Sequence, residues 1–181
     1  MNVMKSSYLT NERIYLRAVE PEDLSVLYEM ENDPQTWDVT NFTVPYSRYA
    51  LRQYIENLQC DMFADRQLRL MVVRKEDEQV LGTIDITDFS PLHGHGEVGV
   101  AIRQVYQGKG YASDALQLLC NYAFGFLQLK QLTVHIAVDN IASIRLFASC
   151  GFQECGLLKQ WWKVGRKYKD VLLMQHIRSD E

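Results

Sequence analysis

Gln107-Gly108-Lys109-Gly110-Tyr111-Ala112 is where the chain changes period, and its flanks decide the fold. On the N-terminal side, residues 97–102 read as a strand. On the C-terminal side, Ala112, Ala115, Leu116, Leu119, Ala123 and Phe126 recur every three or four residues, which predicts a long helix over 112–127. A glycine-rich turn in that setting has a chemical consequence. The first N–H groups of a helix have no intrahelical acceptor and carry partial positive charge, which suits an anion. Gly108 and Gly110 let the backbone approach phosphates, and Lys109 adds a cation at the rim. Neither G-x-x-x-x-G-K-S/T nor a strand-borne G-x-G-x-x-G is present. A plain strand-to-helix turn satisfies the same two glycines, so the stretch gains meaning only from the rest of the chain.

Working outward, residues 14–17 read as a first strand, and Pro21-Glu22-Asp23 opens a helix carrying Leu24, Leu27, Tyr28 and Met30. Asn32-Asp33-Pro34 ends it. A second helix follows over 47–60, with Ser47 as cap and Leu51, Tyr54, Ile55 and Leu58 as its apolar stripe. Residues 68–74 and 80–88 read as strands joined by a polar turn; Ile84 and Ile86 alternate with polar residues as on a half-buried strand. After a turn at 91–96 come the strand and helix already described, a strand over 132–138, and a short helix over 141–150 that Gly151 stops. Residues 152–164 and 167–177 form a hairpin turning at Gly165-Arg166. The order β-α-α-β-β-β-α-β-α-β-β predicts one α/β (α+β) domain over 1–181. Its centre is a mixed, mostly antiparallel sheet with helices on both faces.

Composition narrows the functional class. The 181 residues are 47% hydrophobic, as in globular chains, and show no repeat or low-complexity linker. Acidic residues outnumber basic ones, 23 to 19, for a net charge of −4; this argues against nucleic acid as partner and agrees with a cationic small molecule. No apolar run approaches the roughly 18 residues of a membrane span, and no h-region follows Lys5, so no membrane partner is expected. Cys60, Cys120, Cys150 and Cys155 lack a C-x-x-C pair, which predicts free thiols in a reduced, cytoplasmic setting. His93 and His95 flank Gly94 without a third ligand at a recognisable spacing, so no metal site is expected.

Three segments in order carry a resemblance. Gln107-x-x-Gly110-x-Ala112 is similar to the Q/R-x-x-G-x-G/A motif of the GNAT superfamily of acetyl-CoA-dependent N-acetyltransferases. Asn140-Ile141-Ala142-Ser143, then Phe147, then Gly151-Phe152 is similar to that family's N-x-x-A/S segment ending in G-F. Gly156-x-Leu158 with Gly165-x-x-Tyr168-x-Asp170 is similar to the closing hairpin of the branch that holds spermidine and ribosomal-protein N-terminal acetyltransferases. Together with Tyr15-Leu16-Arg17-Ala18 and Pro21-Glu22-Asp23-Leu24, these cover nearly the whole chain.

The resemblance implies a sheet splayed between its fourth and fifth strands, with acetyl-CoA in the opening. Backbone groups of Val100, Ala101 and Ile102 would meet the pantetheine arm. Gln107, Gly108, Lys109, Gly110, Tyr111, Ala112 and Ser113 would hold the pyrophosphate. Asn140 would contact the coenzyme while capping its helix, and Phe147 would line the cleft near the thioester. Transfer to an amine needs the neutral form, which at pH 7 is about one alkyl ammonium in two thousand. A base reached through water therefore helps, and Glu97 resembles the carboxylate that branch members place on this strand. An ordinary surface Glu at a strand start is the alternative, with Asp85 and Asp88 as secondary candidates.

Many family members carry a tyrosine where Phe147 stands, thought to protonate the departing thiolate; phenylalanine has no proton to give. A thiol of pKa about 8.5 leaves acceptably as thiolate, and water, Tyr106 or Tyr168 remain as donors. The acceptor end would be shaped by Trp37, Asp38, Phe42, Tyr46, Trp161 and Trp162. Aromatics with carboxylates suit a diamine or polyamine. Neighbours on a strand face opposite ways, so at most one of Trp161 and Trp162 faces the acceptor. Acetylation of a protein N-terminus and a catalytically silent CoA-binding sensor stay open beside the polyamine reading. A homodimer is implied by the resemblance alone.

Overall fold

Strand alternation divides the molecule into two cores. The computed structural model describes residues 7–34 and 45–179. In β1 (Ile14–Ala18), Ile14 and Leu16 are buried on one side of the sheet, and Tyr15 is buried on the other. The same alternation runs through β2 (Leu68–Arg74): Leu70 and Val72 join the first core, Met71 and Val73 the second. The second core is closed by α1 (Leu24–Glu31) and α2 (Arg48–Asn57), through Leu27 and Leu51. The first and larger core lies under α4 (Tyr111–Asn121), whose Ala115, Leu116 and Leu119 are fully buried. A four-residue helix, α3 (Met62–Asp65), precedes β2.

β3 (Val80–Ser90), β4 (His95–Ile102), β5 (Gln131–Ala137), α5 (Ile141–Ser149), β6 (Gln153–Val164) and β7 (Lys167–Ile177) complete the order. The seven strands lie β1-β2-β3-β4-β5-β7-β6, and every pair is antiparallel except β4-β5. That parallel pair is short. Its register is His95↔Gln131, Gly96↔Leu132 and Glu97↔Thr133, after which the strands part. Beyond Glu97, β4 follows β3 as far as Gly82↔Ile102, while β5 follows β7 as far as Ala137↔Val171. This is the splay expected between the fourth and fifth strands.

The entry to α1 rests on a buried carboxylate. Asp23, 3% exposed, accepts from the Glu20 N–H at 2.9 Å and receives both Nη1 and Nη2 of Arg17, at 2.7 and 2.8 Å. This closes a capping box and satisfies orphan donors at the helix start.

Three local expectations are revised. The predicted 112–127 helix stays α-helical only to Asn121; a π turn, Tyr122–Phe126, follows, marked by the Leu127 N–H donating to the Tyr122 carbonyl at 3.0 Å. The wider turn slips the helical phase, so Phe126 leaves the buried stripe, is 60% exposed and stacks on Tyr122. Gly125 permits the turn, since a Cβ there would stand 2.6 Å from the Tyr8 ring. The second helix ends at Asn57 rather than residue 60, and α3 has no counterpart in the reading from sequence. Four residues are too few to show a period.

Candidate active site

β4 delivers the chain to the glycine-rich loop. The Arg103 N–H donates to the Leu81 carbonyl at 2.8 Å, and Nε2 of Gln107 donates to the Ile102 carbonyl at 2.8 Å, so Gln107 ties the loop back to the strand that precedes it. Gly108 and Gly110 have φ of +72° and +83°, in the left-handed region that favours glycine. Gly110 is the N-cap of α4, and the first bond closing on the helix runs from the Asp114 N–H to the Gly110 carbonyl at 3.1 Å. The N–H groups from Gly108 to Ser113 take no main-chain acceptor among the described residues. Gly108, Lys109 and Gly110 are exposed, Ala112 and Ser113 half-buried, and Tyr111 buried. The Lys109 ammonium donates to the Val105 carbonyl at 3.3 Å.

The opening between β4 and β5 starts beyond Glu97 and Thr133 and runs toward this loop. Val100 and Ile102 pack against the larger core, and Ala101 stands opposite Thr83. Asn140 caps α5, its Oδ1 accepting from the Ser143 N–H at 3.2 Å. Phe147 is 3% exposed and meets Phe152 edge-on at 5.0 Å, so it is built into the larger core.

The other face of the sheet, under α1 and α2, is polar near the split. Glu97 Oε1 lies 2.9 Å from Nδ1 of His135, both side chains about a quarter exposed. Asp85 takes Nε and Nη2 of Arg69 at 2.9 and 3.0 Å, and Nη1 of Arg69 reaches Glu31 at 2.8 Å. Burial alone would lower the Arg69 pKa; the Asp85 carboxylate outweighs it and holds the guanidinium firmly charged. Beside this network, a cavity of about 210 Å³ is lined by Glu31, Tyr46, Tyr54, Gln67 and Arg69, among others. Asn32 fixes its rim: its amide donates to the Tyr46 carbonyl at 3.0 Å and its Oδ1 accepts from the Tyr46 N–H at 2.8 Å.

Trp37, Asp38 and Phe42 lie outside the described residues. Trp161 is 58% exposed and Trp162 half-buried, as strand alternation requires. Asp88 is exposed at a bulge of β3. His93 and His95 stack on each other at 6.0 Å, and no cluster of three or more potential metal ligands occurs among the described residues. Tyr106 sits among the cations of Arg74, Arg103 and Lys109, and Tyr168 is exposed near the hairpin tip. Two residues of the polar face, His135 and Arg69, escape the reading from sequence. Strand parity puts each on the same face as the residues two positions away, but pairing across strands requires the register.

A family model described as an acetyltransferase (GNAT) domain matches residues 13–153. The chain is 30% identical to "Uncharacterized N-acetyltransferase p20" of Bacillus licheniformis over 95% of its length and 97% of that protein's. It is 27% identical to the spermidine N(1)-acetyltransferase of Vibrio cholerae, covering 93% of this chain and 95% of the relative. A crystal structure of spermidine N-acetyltransferase from Vibrio cholerae, in complex with CoA and spermine, superposes with a TM-score of 0.82. It is 26% identical, covering 92% of this chain and 96% of that one.

Proposed function

The chain belongs to the GNAT acetyltransferase family and is an acetyl-CoA-dependent N-acetyltransferase, and from this we propose that its acceptor is a primary amine of a diamine or polyamine. The residues present suit the donor. Two glycines with positive φ, a helix N-terminus whose first N–H groups have no main-chain acceptor among the described residues, and a β4 edge unpaired by β5 after Glu97 form a cradle for an extended, diphosphate-bearing molecule. Acetyl-CoA brings the activated acyl group as a thioester.

In this reading the chain's own groups divide the work. Gln107 to Ser113 hold the pyrophosphate, and Val100 to Ile102 align the pantetheine arm. Asn140 and Phe147 bound the cleft, the first through its polar side chain and the second as an apolar wall. Glu97 takes a proton from the acceptor's ammonium, directly or through one water, so that the neutral amine bonds to the acyl carbon as the C–S bond breaks and CoA leaves as thiolate; His135 fixes the rotamer of that carboxylate. Holding the amine beside the acyl carbon supplies the larger share of the acceleration, consistent with Phe147 having no proton to donate.

The observation that carries the choice of acceptor is the acidic polar face. Glu31 and Asp85 gather there about the guanidinium of Arg69, and Glu97 stands on the same face beside His135, with Tyr46 and Tyr54 lining the cavity. Carboxylates and aromatic faces together recognise a chain of ammonium groups. The protein would act as one domain in a reducing compartment, in keeping with its four free cysteines, and would assemble with further copies of itself. A thiol-release assay with acetyl-CoA tests the acceptor against diamines, polyamines, amino acids and N-terminal peptides. Polyamines are expected to give the highest kcat/KM. Turnover confined to peptides overturns the polyamine reading, and CoA binding without turnover on any amine overturns catalysis.

A further inference from the structure

Arg13, just before β1 and 96 residues from Lys109 in sequence, reaches the glycine-rich loop with both arms of its guanidinium. Nη2 donates to the Lys109 carbonyl at 2.6 Å, and Nη1 lies 3.2 Å from Oδ2 of Asp114. The guanidinium also covers the face of the Tyr111 ring, 4.5 Å from its centroid. A Cβ on Gly110 would stand 3.4 Å from Nη1, so the arginine closes directly on the cap of α4.

Two consequences follow from elementary geometry and charge. A trans peptide is planar, with its C=O and N–H pointing opposite ways. Holding the Lys109 carbonyl on the Arg13 side therefore turns the Gly110 N–H to the other side, toward the open face of the loop. Asp114 presents the second problem. A carboxylate in the first turn of a helix suits the helix dipole, but here it shares that turn with the anion site and repels a diphosphate. Its Oδ2 is shielded from solvent and takes no hydrogen bond among the described residues, so the charge of Arg13 is its compensation.

We propose that Arg13 is a positioning residue of the donor site: it aims the Gly110 N–H at the pyrophosphate of acetyl-CoA and neutralises Asp114. This rests on the assignment of the loop to that pyrophosphate. The role belongs to the diphosphate alone and vanishes for a donor that lacks one.

Calorimetry with CoA, and kinetics with acetyl-CoA and with S-acetylpantetheine, test the proposal on Arg13→Met, Asp114→Asn and the double variant. Arg13→Met is expected to raise the KM for acetyl-CoA about tenfold with kcat little changed, and to leave S-acetylpantetheine turnover at the wild-type rate. Asp114→Asn should bind CoA at least as tightly as wild type, and the double variant should recover part of the loss. Equal losses with both donors, or weaker CoA binding in Asp114→Asn, overturn the proposal. So does wild-type affinity in Arg13→Met. Failure of the wild type itself to bind CoA overturns the loop assignment instead.

Discussion

Glu97 and His135 meet across the mouth of the split: Oε1 and Nδ1 are 2.9 Å apart, and His135 stands two residues beyond Thr133, the last residue of β5 that pairs with β4. The contact engages one carboxylate oxygen and leaves the second for a water or an amine. The pair thus bridges two strands where their backbones have stopped doing so.

Removing the proposed base should slow the chemical step. Glu97→Gln keeps shape and loses basicity, and kcat with the best amine should fall about a hundredfold, within the range for general-base groups. The KM for acetyl-CoA should stay near wild type. His135→Ala should show a smaller loss of kcat, since the carboxylate remains but is less well held. Steady-state kinetics across the alkaline range checks both, and full activity in Glu97→Gln would remove it from the mechanism.

Gly110→Asp should damage donor binding and spare the fold. A side chain at φ of +83° is strained by about 1–2 kcal/mol, and a carboxylate at this cap opposes a diphosphate. The expected result is a rise of at least about tenfold in the Kd for CoA by calorimetry, with circular dichroism unchanged. Normal affinity would mean the phosphates lie elsewhere.

Asp23→Ala should lower stability without touching the reaction directly. It strands the Arg17 guanidinium and the Glu20 N–H that the carboxylate now satisfies. Arg17 is 30% exposed, so water softens the loss to about 2 kcal/mol, below the ~3–5 kcal/mol of a fully buried pair. For a chain of this length that corresponds to a melting temperature lower by roughly 4–8 °C, measurable by calorimetry.

His176 should make stability sensitive to mild acid. Its ring lies edge-on to Phe124 and Phe152, and burial holds its pKa below the ordinary 6.5. The unfolded chain therefore takes the proton more readily. This contribution is intact above about pH 6.5 and is lost as pH falls through the folded-state value. The melting temperature of wild type should drop more steeply between about pH 7 and pH 5 than that of His176→Gln. Parallel curves for the two proteins would count against it.

Much of this architecture is legible in the residues before any coordinates. Periodicity places the sheet strands and the major helices, because burial on one face imposes a period of two or of three to four residues. It fails where packing overrides period. At Gly125 the chain closes on Tyr8 and takes a π turn, which rotates Phe126 out of a stripe it otherwise fits. The loop proposed to hold the donor is legible because its residues are consecutive. His135, Arg69 and Arg13 are not, because each acts on a partner from another strand or loop, and only the register brings them together.

Three rungs of parallel pairing, 95–97 against 131–133, are the main-chain seam between the four strands β1 to β4 and the three strands β5 to β7. The line along which the reaction is proposed to run is thus also the line where main-chain pairing across the sheet is shortest, the two halves being joined there mainly by the core beneath. A donor laid into that line would act as a splint across it, since it touches both halves only when they are correctly set. Loading the enzyme and stiffening it would then be one equilibrium, since whatever binds only the correctly set halves also stabilises that setting.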